Sequence, residues 1–176
     1  MPNVVIMSRY RVLGPVRITG KPAAPCPPKA RELLALLVLN ANRPVPYSAI
    51  TCELWAGDPP PSARANVRTY AAGLRQAGAR VTATGDGYWL ATDPHDVDLV
   101  RFRAAVARGR ALRDAGDRMA AVATFRAAAA MWRGQALGDI PVGMLLRPWQ
   151  AALDRERVIL TEELAALLDR APLVLS

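Results

Sequence analysis

Histidine occurs once in this chain, at His95; cysteine twice, at Cys26 and Cys52; and lysine twice, at Lys21 and Lys29. A single histidine nearly excludes a His-based triad or a zinc site that needs paired imidazoles. Two cysteines without metal spacing cannot make a disulfide framework or a thiolate site. There is no glycine-rich phosphate cradle and no nucleophile with a patterned base. Glu162 and Glu163 are neighbours on a helix and point apart, so they are not a catalytic pair. No catalytic residue, cofactor or metal is expected. No run reaches the ~18 apolar residues of a membrane span. The patch Val4-Val5-Ile6-Met7 is too short for a signal peptide. A soluble, cytoplasmic, nucleoid-associated protein without membrane contact is expected.

What the chain does have is arginine. Its 23 basic residues stand against 15 acidic ones, a formal charge of +8. Residues 1–95 hold 11 basic and 5 acidic side chains, residues 96–176 hold 12 and 10. The surplus therefore sits in the N-terminal half, as an anionic partner requires. At 176 residues and 52% hydrophobic content, the chain can form one domain or two small ones with true cores.

Residues 8–19 alternate, with Tyr10, Val12, Val16 and Ile18 set between arginines and broken at Gly14-Pro15, and predict two short antiparallel strands. A weak third strand is expected over 22–26. Pro27-Pro28 opens an all-round apolar helix over 29–41, a buried core element. Val45 is expected as a stub of strand, followed by a helix over 47–56. After a proline-rich turn comes the helix 62–76, with Ser62 as its expected N-cap. Val67, Tyr70, Ala71 and Leu74 form its apolar stripe. Arg64, Arg68 and Arg75 fall within roughly 40° of one another beside that stripe. Two β-branched and aromatic runs around Gly85-Asp86-Gly87 then predict a hairpin. Helix, turn, basic helix and hairpin in this order predict a winged helix-turn-helix.

Asp93-Pro94-His95-Asp96 reads as a boundary, dividing the chain into 1–94 and 95–176. Beyond it helices are expected over 97–114, 118–132 and 145–170. Met119, Val122, Phe125 and Met131 are expected on the apolar side of the middle one. Gly109, Ala121, Phe125 and Ala128 match the small-residue and Phe spacing of a tetratricopeptide helix pair. The mixed charges of the last helix (Arg155, Glu156, Arg157, Glu162, Glu163) read as a solvated surface.

Several motifs in collinear order resemble the Streptomyces antibiotic regulatory protein family. They are Pro28-Lys29-Ala30-Arg31-Glu32-Leu33-Leu34, Asn42-Arg43-Pro44-Val45, Glu53-Leu54-Trp55-Ala56-Gly57-Asp58-Pro59-Pro60, Ser62-Ala63-Arg64, Leu74-Arg75 and Gly87-Tyr88-Trp89-Leu90. Val97-Asp98-Leu99-Val100-Arg101-Phe102 and Met131-Trp132-Arg133-Gly134-Gln135-Ala136-Leu137, with Asp139, extend it. The resemblance implies an α+β, OmpR-like winged-helix DNA-binding domain with a small N-terminal sheet and a hairpin wing. An all-α, tetratricopeptide-like bacterial transcriptional activation domain follows, here shortened. It implies activation of an antibiotic biosynthetic cluster, binding to direct repeats in double-stranded promoter DNA, dimeric or side-by-side assembly there, and contact with RNA polymerase and its sigma factor. One departure is Gly73, where the family usually has Arg.

On this frame Arg64, Asn66 and Arg68 are the candidates for base edges and phosphates, Arg for guanine and Asn for adenine. Thr69 and Arg75 are candidate phosphate ligands. Arg80, at the base of the wing, can reach phosphate or the minor groove. Lys29 and Arg31 begin the first helix, whose free N–H groups also suit a phosphate. Trp55, Tyr70, Tyr88 and Trp89 are expected in core or wing packing, Cys52 as a small core residue, Cys26 as a loop thiol and His95 at the surface. The alternative is a protein-interaction module that contacts polymerase or a partner regulator with little DNA binding of its own.

Overall fold

The computed structural model describes residues 8–20 and 26–169. Two antiparallel strands, β1 (Tyr10–Arg11) and β2 (Arg17–Ile18), come first, with Tyr10 opposite Ile18. The third strand expected over 22–26 lies outside the described residues except for Cys26, which is in no regular element. Helix α1 (Pro28–Leu39) starts with proline in its first turn and buries most of its length, Leu33, Ala35 and Leu37 completely. β3 (Val45–Pro46) leads directly into α2 (Tyr47–Trp55), and α3 (Ala63–Gln76) follows the proline turn. β4 (Val81–Thr84) and β5 (Gly87–Leu90) form the hairpin, and β3 joins it in a sheet of order β3-β5-β4. That third strand comes so close that a Cβ at Gly87 would lie 2.0 Å from the Val45 carbonyl oxygen, so only glycine fits there.

A turn of 3-10 helix at Pro94–Asp96 leads to α4 (Asp98–Asp114), α5 (Arg118–Ala129) and α6 (Leu146–Asp169). The α4–α5 pair packs as its spacing predicts. Phe125, Ala121 and Ala128 are fully buried, and the Phe125 ring fills the space that a Cβ on Gly109 would occupy, 2.4 Å away. α5 ends three residues short of expectation, and Trp132 turns in from the following loop to meet Phe102 edge-on at 5.5 Å. Met119 is 80% exposed, against expectation. Six residues before Phe125, it sits roughly 120° round the helix from that ring.

The two halves share one buried cluster that runs from Tyr10 to Leu167. Three carboxylates bind across the seam. Asp98, at the start of α4, accepts from the backbone N–H groups of Val12 and Leu13 at 2.9–3.1 Å and pairs with Arg133 at 3.0 Å. Glu53 of α2 accepts from the N–H groups of Gly143, Leu145 and Leu146 at 2.6–3.1 Å, capping the start of α6. Asp139 accepts from the Val16 N–H at 2.7 Å and pairs with Arg17 and Arg31.

The charges of α6 are not simply solvated. Glu156 receives a two-pronged bond from Arg103, at 2.6 and 3.0 Å, and Glu163 pairs with both Arg110 and Arg113. α4 and α6 are thereby laced along their length. The Arg157 guanidinium lies over the Trp132 ring at 5.4 Å.

Two mid-helix glycines give a paired test. Gly109→Ala should destabilise the fold by a net of about 1–2 kcal/mol, because overpacking a full core costs more than the helix propensity gained. Gly73→Ala meets nothing within 4 Å and should stabilise by about 1 kcal/mol. Urea denaturation of both variants should move the midpoint in opposite directions.

Candidate nucleic-acid interface

α3 divides cleanly. Ala63, Val67, Ala71 and Leu74 are buried, where the helix packs on α1. Arg64, Arg68 and Thr69 are exposed, and Asn66 is half-buried. Ser62 does not cap the helix as expected. Its backbone (φ −81°, ψ 0°) lies outside the extended region that aims a cap hydroxyl at the first turn, and its Oγ instead accepts from Asn66 Nδ2 at 3.2 Å. Asn66 is therefore already engaged, through an exposed bond within its own helix turn. Thr69 donates to the Ala65 carbonyl at 3.1 Å, which leaves its oxygen free to accept.

The Arg64 guanidinium lies over the ring of Tyr47, 4.3 Å from its centroid. Tyr47 is the first residue of α2, and its own N–H donates to the Asp86 carbonyl in the wing turn at 2.7 Å. The starts of α2 and α3 and the tip of the wing therefore meet at one residue. Among the described residues neither Arg64 nor Arg68 makes a salt bridge. They are two exposed cations without a protein anion on the exposed side of a helix held rigid from behind.

The remaining candidates divide. Arg75 donates through Nε to the Val81 carbonyl at 2.6 Å, tying the end of α3 to the wing. Arg80 is exposed, and its backbone N–H is 3.4 Å from the Tyr10 hydroxyl. Lys29 and Arg31 are not brought to this face as free cations. Lys29 binds Glu32 and the Leu54 carbonyl near the end of α2, a favourable place for a cation. Arg31 is spent on Asp139 across the seam. Half-buried Tyr70 and Trp55 pack against the core, as do Cys52's neighbours Ile50 and Leu54; Cys26 and Cys52 are both partly exposed free thiols. Sequence reasoning missed Tyr47, because no local periodicity links it to an arginine 17 positions away.

A winged helix with a basic third helix, joined to helices of tetratricopeptide kind, narrows the choice of family, and comparison with known proteins decides it. The chain is 34% identical to the transcriptional regulatory protein EmbR of Mycobacterium tuberculosis over 160 residues, 85% of this chain and 41% of EmbR. It is 31% identical to the regulatory protein DnrI of Streptomyces peucetius over 85% of this chain and 61% of DnrI. The chain belongs to the Streptomyces antibiotic regulatory protein family. Residues 97–171 match the model of the bacterial transcriptional activator domain. A solved structure of M. tuberculosis EmbR in complex with a low affinity phosphopeptide has the same α+β fold, with a TM-score of 0.80 at 32% identity over 90% of this chain and 44% of that one. The chain thus spans less than half the length of EmbR. Its family relatives are transcriptional regulators.

Asp139 makes the seam sensitive to acid. Burial works against its charged form, but the Val16 amide and the Arg17 and Arg31 guanidinium groups together outweigh that, and its carboxyl sits below the ordinary value of 3.8. A lowered folded value means stability that is present above pH 3.8 and lost as pH falls through the folded value. Unfolding measured from pH 5 downward should show this loss, and Asp139→Asn should flatten it. Arg31→Ala should cost about 1–3 kcal/mol of stability at neutral pH, read as a lowered urea midpoint.

Proposed function

We propose that this chain is a sequence-specific DNA-binding transcriptional activator that acts through α3. What carries the reading is the pair Arg64 and Arg68, exposed, unbridged and a single helical turn apart on the helix that follows α2 in a winged helix. Their forked donors suit guanine O6 and N7 as well as phosphate. Asn66 and Thr69 add an amide and a hydroxyl on the same half of the helix. Arg75 and Arg80 flank it at the wing, as phosphate contacts. Residues 1–94 serve as the DNA-binding domain and 95–176 as the activation domain.

In keeping with the family, the target is a promoter with direct repeats at a secondary-metabolite cluster. Two copies bind side by side, and the helical half recruits RNA polymerase with its sigma factor. Among the described residues no helix is long and apolar enough to cross a membrane. A place in the cytoplasm, at the nucleoid, fits a DNA-binding role.

Footprinting on the DNA upstream of the neighbouring genes should reveal protected repeats, and affinity for them should fall steeply with salt. Arg64→Ala and Arg68→Ala should each cost about 1–3 kcal/mol of binding where the arginine reads a base, and relax sequence choice at that position. Intact promoter binding by both variants would falsify the assignment of α3.

A further inference from the structure

The geometry points to Tyr47 as the residue that positions Arg64 for base reading, and so as a determinant of sequence choice outside the recognition helix. This rests on the proposed DNA-binding role of α3.

An arginine on an exposed helix face has several rotatable bonds, and fixing it on binding costs conformational freedom. Arg64 is not left free. Its guanidinium sits 4.3 Å from the centre of the Tyr47 ring, within the range where an aromatic face attracts a cation. Among the described residues the guanidinium makes no hydrogen bond to a protein acceptor, so its N–H donors are open to a guanine contact. Arg64 has no carboxylate partner among the described residues, so the ring holds it without neutralising it or occupying its donors.

The ring is itself well anchored. Tyr47 is partly buried against the core. Its backbone N–H is fixed to the Asp86 carbonyl of the wing turn at 2.7 Å. Pro46 on its N-terminal side is paired in β3 with Gly87. None of these anchors uses the side chain beyond Cβ except the core contact, which another apolar residue can supply. The ring's contact with Arg64 can therefore be removed without releasing α2 or the wing.

The test compares wild type, Tyr47→Phe and Tyr47→Leu on two labelled duplexes, one carrying the footprinted repeat and one with the same bases scrambled. Leucine keeps the apolar bulk and removes the ring; phenylalanine keeps the ring. Tyr47→Leu should weaken binding to the repeat about two- to fivefold and leave the scrambled duplex unaffected, while Tyr47→Phe behaves as wild type. In an Arg64→Ala background, Tyr47→Leu should add nothing. In the free protein, the Arg64 side-chain NMR signals should lose their ring-current shift and gain mobility in Tyr47→Leu. Equal losses on both duplexes, a loss that persists in the Arg64→Ala background, or a Tyr47→Phe variant as weak as Tyr47→Leu would overturn the positioning role. If wild type discriminates and Arg64→Ala is impaired while Tyr47→Leu is not, the positioning role alone is wrong. If wild type does not discriminate between the duplexes, the DNA-reading role of α3 falls with it.

Discussion

The carboxylate of Glu53 is the contact on which the arrangement of the two halves turns. It comes from α2, in the winged helix, and is 4% exposed. A buried carboxylate without donors is expensive. Here three backbone N–H groups meet it at the start of α6, where a helix leaves its first N–H groups without partners. Each side solves the other's problem, and neither half can move away without exposing both costs at once. The fit is close: a Cβ on Gly143 would lie 2.7 Å from the Glu53 carbonyl oxygen and 2.9 Å from its carboxylate. Asp98 repeats the logic in the opposite direction, an acid from the helical half serving the N-terminal strands. Its burial pushes its carboxyl above the ordinary value even against the Val12 and Leu13 amides and Arg133, so this link is bought with desolvation.

These contacts give α2 two jobs. Tyr47 at its start touches Arg64, and Glu53 near its end holds α6. The nine residues of α2 thus connect the exposed Arg64 of α3 to the longest helix of the C-terminal half. The β1 chain adds a second brace, since Tyr10 bridges to Val97 and the loop before β2 accepts from Arg133 and Leu137. A protein built this way holds its helical half at a fixed angle to the winged helix rather than on a tether. In the proposed role this would fix the helical half relative to bound DNA.

Local patterns carried much of this into view before any coordinates. The division of α3 follows from its 3.6-residue period, the wing from Asp86-Gly87 between β-branched runs, and the Gly109–Phe125 contact from repeat spacing. What local patterns do not carry is the partner of a polar side chain far along the chain. Glu53 and Asp98 look like ordinary helix charges, yet their partners lie about 90 residues away. Glu156 and Glu163 lie seven apart, matching Arg103 and Arg110 on α4, but that register exists only once the helices are packed. Ser62 is the instructive local miss: a suitable cap residue in a backbone that does not place its hydroxyl.

Arginine serves two ends in this molecule, and its abundance alone does not separate them. In the helical half several guanidinium forks are used inwardly, while Arg108, Arg126 and Arg155 are exposed and carry no salt bridge among the described residues. Arg103 and Arg110 each grip a carboxylate with two nitrogens, and Arg113 adds a third grip on α6. Such pairs cancel much of the field they would otherwise project. In the N-terminal half Arg17 and Arg31 are spent the same way on Asp139. Arg43, Arg64, Arg68 and Arg80 are exposed and carry no salt bridge among the described residues. An unpaired surface cation adds little to folding, and of these four only Arg64 has an aromatic contact, with Tyr47. The two that share α3 differ from the rest in sitting together on the exposed side of one helix of the winged fold, which is where the proposed base contacts would be made.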